Sequence, residues 1–136
     1  MARRKNLKSS KWNFKSTKEF GLLNNIEKRV YEILKALNLS FKTHVGIDKY
    51  NVDFLIEGKY IIEVYGDFWH CNPHKYTKDY FNRGKRKTAE EIWERDASRK
   101  QLFESYGFKF LNLWETEINK DIKSVRRKIK KLISEE

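Results

Sequence analysis

The chain is poor in the residues that punctuate or cross-link small proteins. It has one proline, one cysteine and six glycines in 136 residues. A single Cys71 cannot form an internal disulfide and excludes a zinc module built on several cysteines. No apolar run approaches the roughly 18 residues needed to span a bilayer. The basic N-terminus has no apolar stretch behind it, so it does not read as a secretory signal. No internal repeat is visible. These absences point to a soluble, cytoplasmic chain with no membrane partner.

Cations, aromatics and one core's worth of apolar residues are abundant. Hydrophobic residues make up 39% and aromatics 15%, enough for one core, and the length suits one domain. The formal charge is +11, unevenly spread. Residues 1–20 carry +6, 75–100 carry +4 and 120–136 carry +4, whereas 21–74 and 101–119 are slightly acidic. Basic charge in three blocks suits a polyanion, because neutralised phosphates release counterions. A solvated surface that only aids solubility is the plainer alternative.

Residues 1–20 read as a basic arm and 21–136 as a single folded domain. Ile26, Val30, Ile33, Leu34 and Leu37 recur at helical spacing, with Asn38 as a stop. Phe41–Ile47, Val52–Ile56 and Tyr60–Tyr65 read as strands, the last two joined by Glu57-Gly58-Lys59. Residues 67–87 look irregular. Thr88-Ala89-Glu90-Glu91 fits a capping box opening a helix that ends at Gly107. Phe108–Trp114 reads as a fourth strand, parallel to the third because a helix crosses between them. Thr116 is positioned to cap one last helix carrying Ile118, Ile122, Val125, Ile129 and Leu132. The expected fold is α/β, a mixed sheet of about four strands flanked by helices.

Two carboxylates interrupt apolar strands, Asp53 and Glu63. Each is costly there unless paired or metal-bound. A three-residue turn at 57–59 pairs Ile56 with Tyr60 and sets Asp53 opposite Glu63, where a divalent cation, Mg²⁺ or Mn²⁺, would relieve their repulsion. A two-residue turn would instead send Glu63 to the other face, toward solvent. His70 follows the third strand closely and could accept a proton from a water attacking phosphate. Phe68 and Trp69 either cover the core edge or wedge between base steps. Asp96 and Glu27 lie beside the apolar stripes of their helices and either point inward or are ordinary surface charges.

Taken together, these residues resemble the very short patch repair (Vsr) endonucleases and the related homing endonucleases named for an EDxHD motif, both of the restriction-endonuclease-like superfamily. The likeness runs from Glu27 through Val52-Asp53-Phe54, Ile61–Gly66, Phe68-Trp69-His70 and Asp96 to Trp114. Its sharpest part is Gly66-Asp67-Phe68-Trp69-His70. The resemblance implies Mg²⁺-dependent hydrolysis of double-stranded DNA, with Mn²⁺ as a substitute. Asp53 would be the principal metal ligand, His70 the general base, and Glu27 and Asp96 would complete the acidic and hydrogen-bonding shell of catalytic residues. The repair enzymes carry Thr at the place of Glu63, which here could offer a side-chain ligand instead. Phe68 and Trp69 would intercalate. Arg3, Arg4, Lys5, Arg83, Lys85, Arg86 and Lys87 are the expected phosphate contacts.

The superfamily's usual acid-x-Lys ending is missing from Glu63-Val64-Tyr65, so His70 takes over that role. The repair enzymes' structural zinc is not expected, because Asp67, Asn72 and His74 stand near those ligand places with Cys71 alone. That favours a bacterial or phage-encoded homing-type nuclease, a catalytic domain working with an additional DNA-recognition domain or as a homodimer. The alternatives are a non-catalytic DNA-binding module on the same fold, a mismatch-repair nicking enzyme, or an RNA nuclease.

Overall fold

The computed structural model describes Trp12 and residues 14–134. Their elements are α1 (Asn25–Ala36), β1 (Phe41–Ile47), β2 (Tyr50–Ile56), β3 (Tyr60–Tyr65), β4 (Phe81–Asn82), β5 (Lys87–Thr88), α2 (Ala89–Ser105), β6 (Lys109–Trp114), α3 (Glu115–Lys120) and α4 (Ile122–Ser134). The main sheet has strand order β1-β2-β3-β6. The first three strands are antiparallel, and β6 runs parallel to β3. This is the mixed four-stranded α/β architecture the sequence predicts.

Local chemistry explains the boundaries. Asn24 caps α1: its side chain accepts the Glu27 N–H and Glu27 Oε1 accepts the Asn24 N–H, both at 2.8 Å. Asn38, at φ 58°, stops the helix in the left-handed conformation that asparagine tolerates. Thr88 and Glu91 form the expected capping box of α2, and Gly107 ends it at φ 100°.

The sheet is buried on both faces. One cluster packs Phe54, Ile56, Ile62 and Leu113 against Val30 and Leu34 of α1 and Val125 and Ile129 of α4. The other packs Val45, Leu55, Ile61 and Phe110 with Phe103 of α2. Each fully buried aliphatic or aromatic side chain contributes about 1.5–3 kcal/mol of transfer free energy. Among the described residues no helix is long and apolar enough to cross a membrane.

Three features differ from the sequence reading. The segment between β3 and α2 is not wholly irregular, because β4 and β5 pair as a short ribbon. The last helix is two. Asp121 breaks it with φ −143° and ψ 63°, and its carboxylate then accepts the Ser124 N–H at the start of α4. Thr116 is not a cap, for its hydroxyl is committed to Asp67. Within residues 1–20, Trp12 and Phe14 pack on the second cluster, Trp12 stacking on Phe108 at 6.2 Å. Ser16 bridges to Val45, and Lys18 accepts a hydrogen bond from Thr43 Oγ1 at 2.7 Å. Arg3, Arg4 and Lys5 lie outside the described residues.

Candidate active site

The site starts from the β2–β3 turn. Glu57 and Gly58 take φ 53° and 68°, Ile56 pairs with Tyr60, and continuing that register sets Asp53 opposite Glu63. Asp53 accepts the Val64 N–H at 2.7 Å through Oδ2. Glu63 shares the face but turns to Arg99 of α2, Nη2 to Oε1 at 2.7 Å.

The partner that joins Asp53 is one the sequence reading did not single out. β1 pairs Thr43 with Phe54 and Val45 with Val52, which brings His44 opposite Asp53. His44 has φ 48°, a left-handed conformation uncommon for a residue other than glycine. Its carbonyl accepts the Thr17 N–H at 3.0 Å and the Thr17 hydroxyl. Its Nε2 lies 2.6 Å from Glu27 Oε2 and 4.0 Å from Asp53 Oδ1. Glu27, His44 and Asp53 each offer a ligand atom within 4.8 Å of the others. Two carboxylates and an imidazole are a donor set that suits a divalent metal ion. Of the residues expected at the metal, Asp53 is in this triad, while Glu63 is in the ion pair with Arg99. A two-residue hairpin turn at Asp48-Lys49 is the signal that would have placed His44 across from Asp53.

Electrostatics follow from burial. Asp53 is raised above the usual carboxylate range, first by burial and then by the Glu27 charge, against the pull of the Val64 N–H and of His44 and Arg99. Burial and the facing Asp53 push Glu63 up to about 8, with Arg99 offsetting part of the effect. Without metal, folded Glu63 therefore keeps a proton at pH values where the unfolded chain has lost it. Stability from this group is full below the ordinary glutamate range and is lost as pH rises through about 8. Urea melts in EDTA across that range are expected to show declining stability, and Glu63→Gln is expected to flatten the decline. A decline of equal steepness in the variant would assign it to other groups.

A second constellation meets the first at Tyr65, which feels the charges of Asp96, Glu63 and Asp53. His70 lies in the turn after β3, its N–H donated to the Gly66 carbonyl at 3.0 Å. Its ring stacks on Tyr65 at 4.0 Å and 4°. His70 Nδ1 is 2.8 Å from Asp96 Oδ2 of α2, so Asp96 points inward. With Nδ1–H donated to that carboxylate, Nε2 presents its lone pair. A cleft of about 700 Å³ opens beside His70, lined also by Asn24, Val64, Gly66, Phe68 and Trp69; the Val64 N–H is the one Asp53 accepts.

The turn is braced from below. Burial alone would raise Asp67, but hydrogen bonds from Lys75, Thr116 and Asn72 hold it below the usual carboxylate range. Asn82 donates to the Phe68 carbonyl at 2.7 Å and Trp93 Nε1 to the Cys71 carbonyl at 2.7 Å. Phe68 and Trp69 are 37% and 51% exposed, their rings in edge contact at 5.1 Å. Arg83, Lys85 and Arg86 are exposed at the adjoining tip of the β4–β5 ribbon, with Lys87 half-buried.

Gly84 of that tip carries the Trp69 ring: a Cβ there would stand 2.4 Å from Trp69 Cζ3. Gly84→Ala is therefore expected to swing the indole away while leaving the melting temperature nearly unchanged, as surface substitutions usually move stability by less than about 0.5 kcal/mol. Tryptophan fluorescence quenching with a thermal melt reads both. An unaltered quenching profile would show that the glycine does not set the ring's position.

The mixed four-stranded sheet flanked by helices is a nuclease-like α/β fold, and it carries a carboxylate–imidazole triad that could hold a metal ion. The fold is that of a homing endonuclease catalytic domain. It matches the solved structure of the Homing Endonuclease I-Bth0305I Catalytic Domain with a TM-score of 0.58 and 26% identity, over 81% of this chain and 94% of that one. No family model matches the chain, and no curated protein matches it.

Proposed function

We propose that the protein is a metal-dependent DNA endonuclease that hydrolyses phosphodiester bonds, the catalytic domain of a homing or phage-type enzyme. The observation that carries this reading is the Glu27–His44–Asp53 triad on an endonuclease-like fold, linked to the His70–Asp96 pair through Tyr65, which stacks on His70 and feels the charges of both Asp96 and Asp53. Asp53 and Glu27 supply the anionic ligands, with His44 beside them. Mg²⁺ suits the carboxylates, and the imidazole makes Mn²⁺ a good substitute. Bound there, the ion would polarise the phosphoryl oxygen and stabilise the leaving oxyanion. His70 Nε2 takes the proton of the attacking water, and Asp96 fixes the tautomer and steadies the charged imidazole. Glu63, neutralised by Arg99 or by a proton, limits the negative charge facing phosphate. Phe68 and Trp69 wedge into the duplex, while the ribbon cations track its backbone.

Supercoiled plasmid incubated with the protein and Mg²⁺ tests the proposal, with EDTA and His70→Ala as controls. Nicked or linear product that needs both metal and His70 is expected. Retarded but intact plasmid in both Mg²⁺ and Mn²⁺ would replace this reading with a non-catalytic DNA-binding module.

A further inference from the structure

His70 also lines a second cleft, of about 540 Å³, in which Lys49, Arg95 and Ser98 have no role above. It runs between the β1–β2 turn, the β4–β5 ribbon tip and α2. Lys49, Lys85, Arg95 and Arg99 line it, with Ser98 as a neutral donor. Its one acid is Asp96, already engaged with His70. Among the described residues, Lys49, Lys85 and Arg95 are in no ion pair. Three like charges converging on one concavity repel one another and gain from an anion placed between them.

Arg99 gives the cleft a rigid side. Its guanidinium lies over the Tyr50 and Phe103 rings at 5.3 and 5.5 Å, and Nη2 bonds Glu63 and the Asn51 carbonyl. Its Nε is buried with no acceptor among the described residues. The cations come from three separate chain segments whose shared neighbour is His70. Because His70 lines this cleft, a strand lying in it would run past the proposed general base.

We infer that this cleft is a phosphate subsite that holds an internal phosphodiester of the DNA strand next to the one cleaved, with Lys49 and Arg95 as its principal contacts. The inference rests on the nuclease reading and adds the path of the strand: from the triad, past His70, into the groove over α2.

Binding of a short fluorescent DNA duplex, measured in EDTA over a series of KCl concentrations, tests it. Lys49→Gln/Arg95→Gln is compared with Lys18→Gln/Lys35→Gln, which removes the same charge from a groove beside α1. All four side chains are exposed. The cleft variant is expected to lower the slope of log affinity against log salt by about 1–2, and the control variant to lower it by clearly less. Equal slopes for the two variants would overturn the subsite, reducing it to a general field effect. Duplexes with and without a 5′-phosphate separate an internal phosphodiester from a strand end, and a loss seen only with the 5′-phosphate would overturn the assignment. Wild-type protein that binds but never cuts plasmid would sink the nuclease reading while the slope comparison still decides the subsite. Absence of duplex binding would sink both.

Discussion

Asp53→Asn is expected to abolish plasmid cleavage while the protein still folds and still binds DNA. The amide keeps an oxygen to accept the Val64 N–H, so the local β3 geometry persists. It removes the anionic ligand shared with Glu27 and His44. Loss of several kcal/mol of charge stabilisation at the transition state corresponds to a fall of about 10³-fold or more. DNA affinity should be unchanged or slightly higher, because one carboxylate facing phosphate is gone. Added Mn²⁺ should raise the melting temperature of wild-type protein and not of the variant, since only a bound ion stabilises the folded state. Retained cleavage, or a collapse of binding along with activity, would assign Asp53 to structure instead.

The second large effect belongs to His70. His70→Ala is expected to lower the cleavage rate by about 10²–10⁴-fold, the usual worth of a positioned general base, with little change in affinity. Asp96→Asn is expected to cost less, about 10–100-fold, because Asp96 acts through the imidazole. Its distinguishing mark is a fall in kcat with KM and DNA affinity unchanged. If Asp96→Asn weakened DNA binding as much as cleavage, the 2.8 Å contact would be only a brace for the turn.

Much of this arrangement follows from local rules. The three residues of the 57–59 turn determine the Asp53–Glu63 pairing, because strand register converts turn length into a choice of face. The spacing of Asp96 after Ile92 allows an inward carboxylate or an ordinary surface charge, and only the contact with His70 decides between them. The parallel β3–β6 pair follows from the helix between them. Other contacts depend on distant chain and leave no periodic trace. His44 looks like a lone polar residue on a strand until Ser16–Lys18 lie along β1 and draw its backbone into the left-handed region. Arg99 reads as one more surface cation of α2, yet it crosses to Glu63. The division between α3 and α4 is hidden because the apolar spacing runs on through Asp121. Trp12 and Phe14 sit in a strongly basic segment, and average charge masks two aromatic anchors.

The turn after β3 places Phe68, Trp69 and His70 on consecutive residues of one braced loop. On the proposed function, the groups that grip a deformed duplex and the group that removes the proton are thus mechanically one part. A helix that yields to the wedge seats the imidazole; a stiff one leaves the wedge outside and the imidazole withdrawn. Discrimination among DNA sites would then enter through turnover more than through occupancy. Flexible pyrimidine–purine steps would be cut faster than rigid A-tracts that the protein holds equally well.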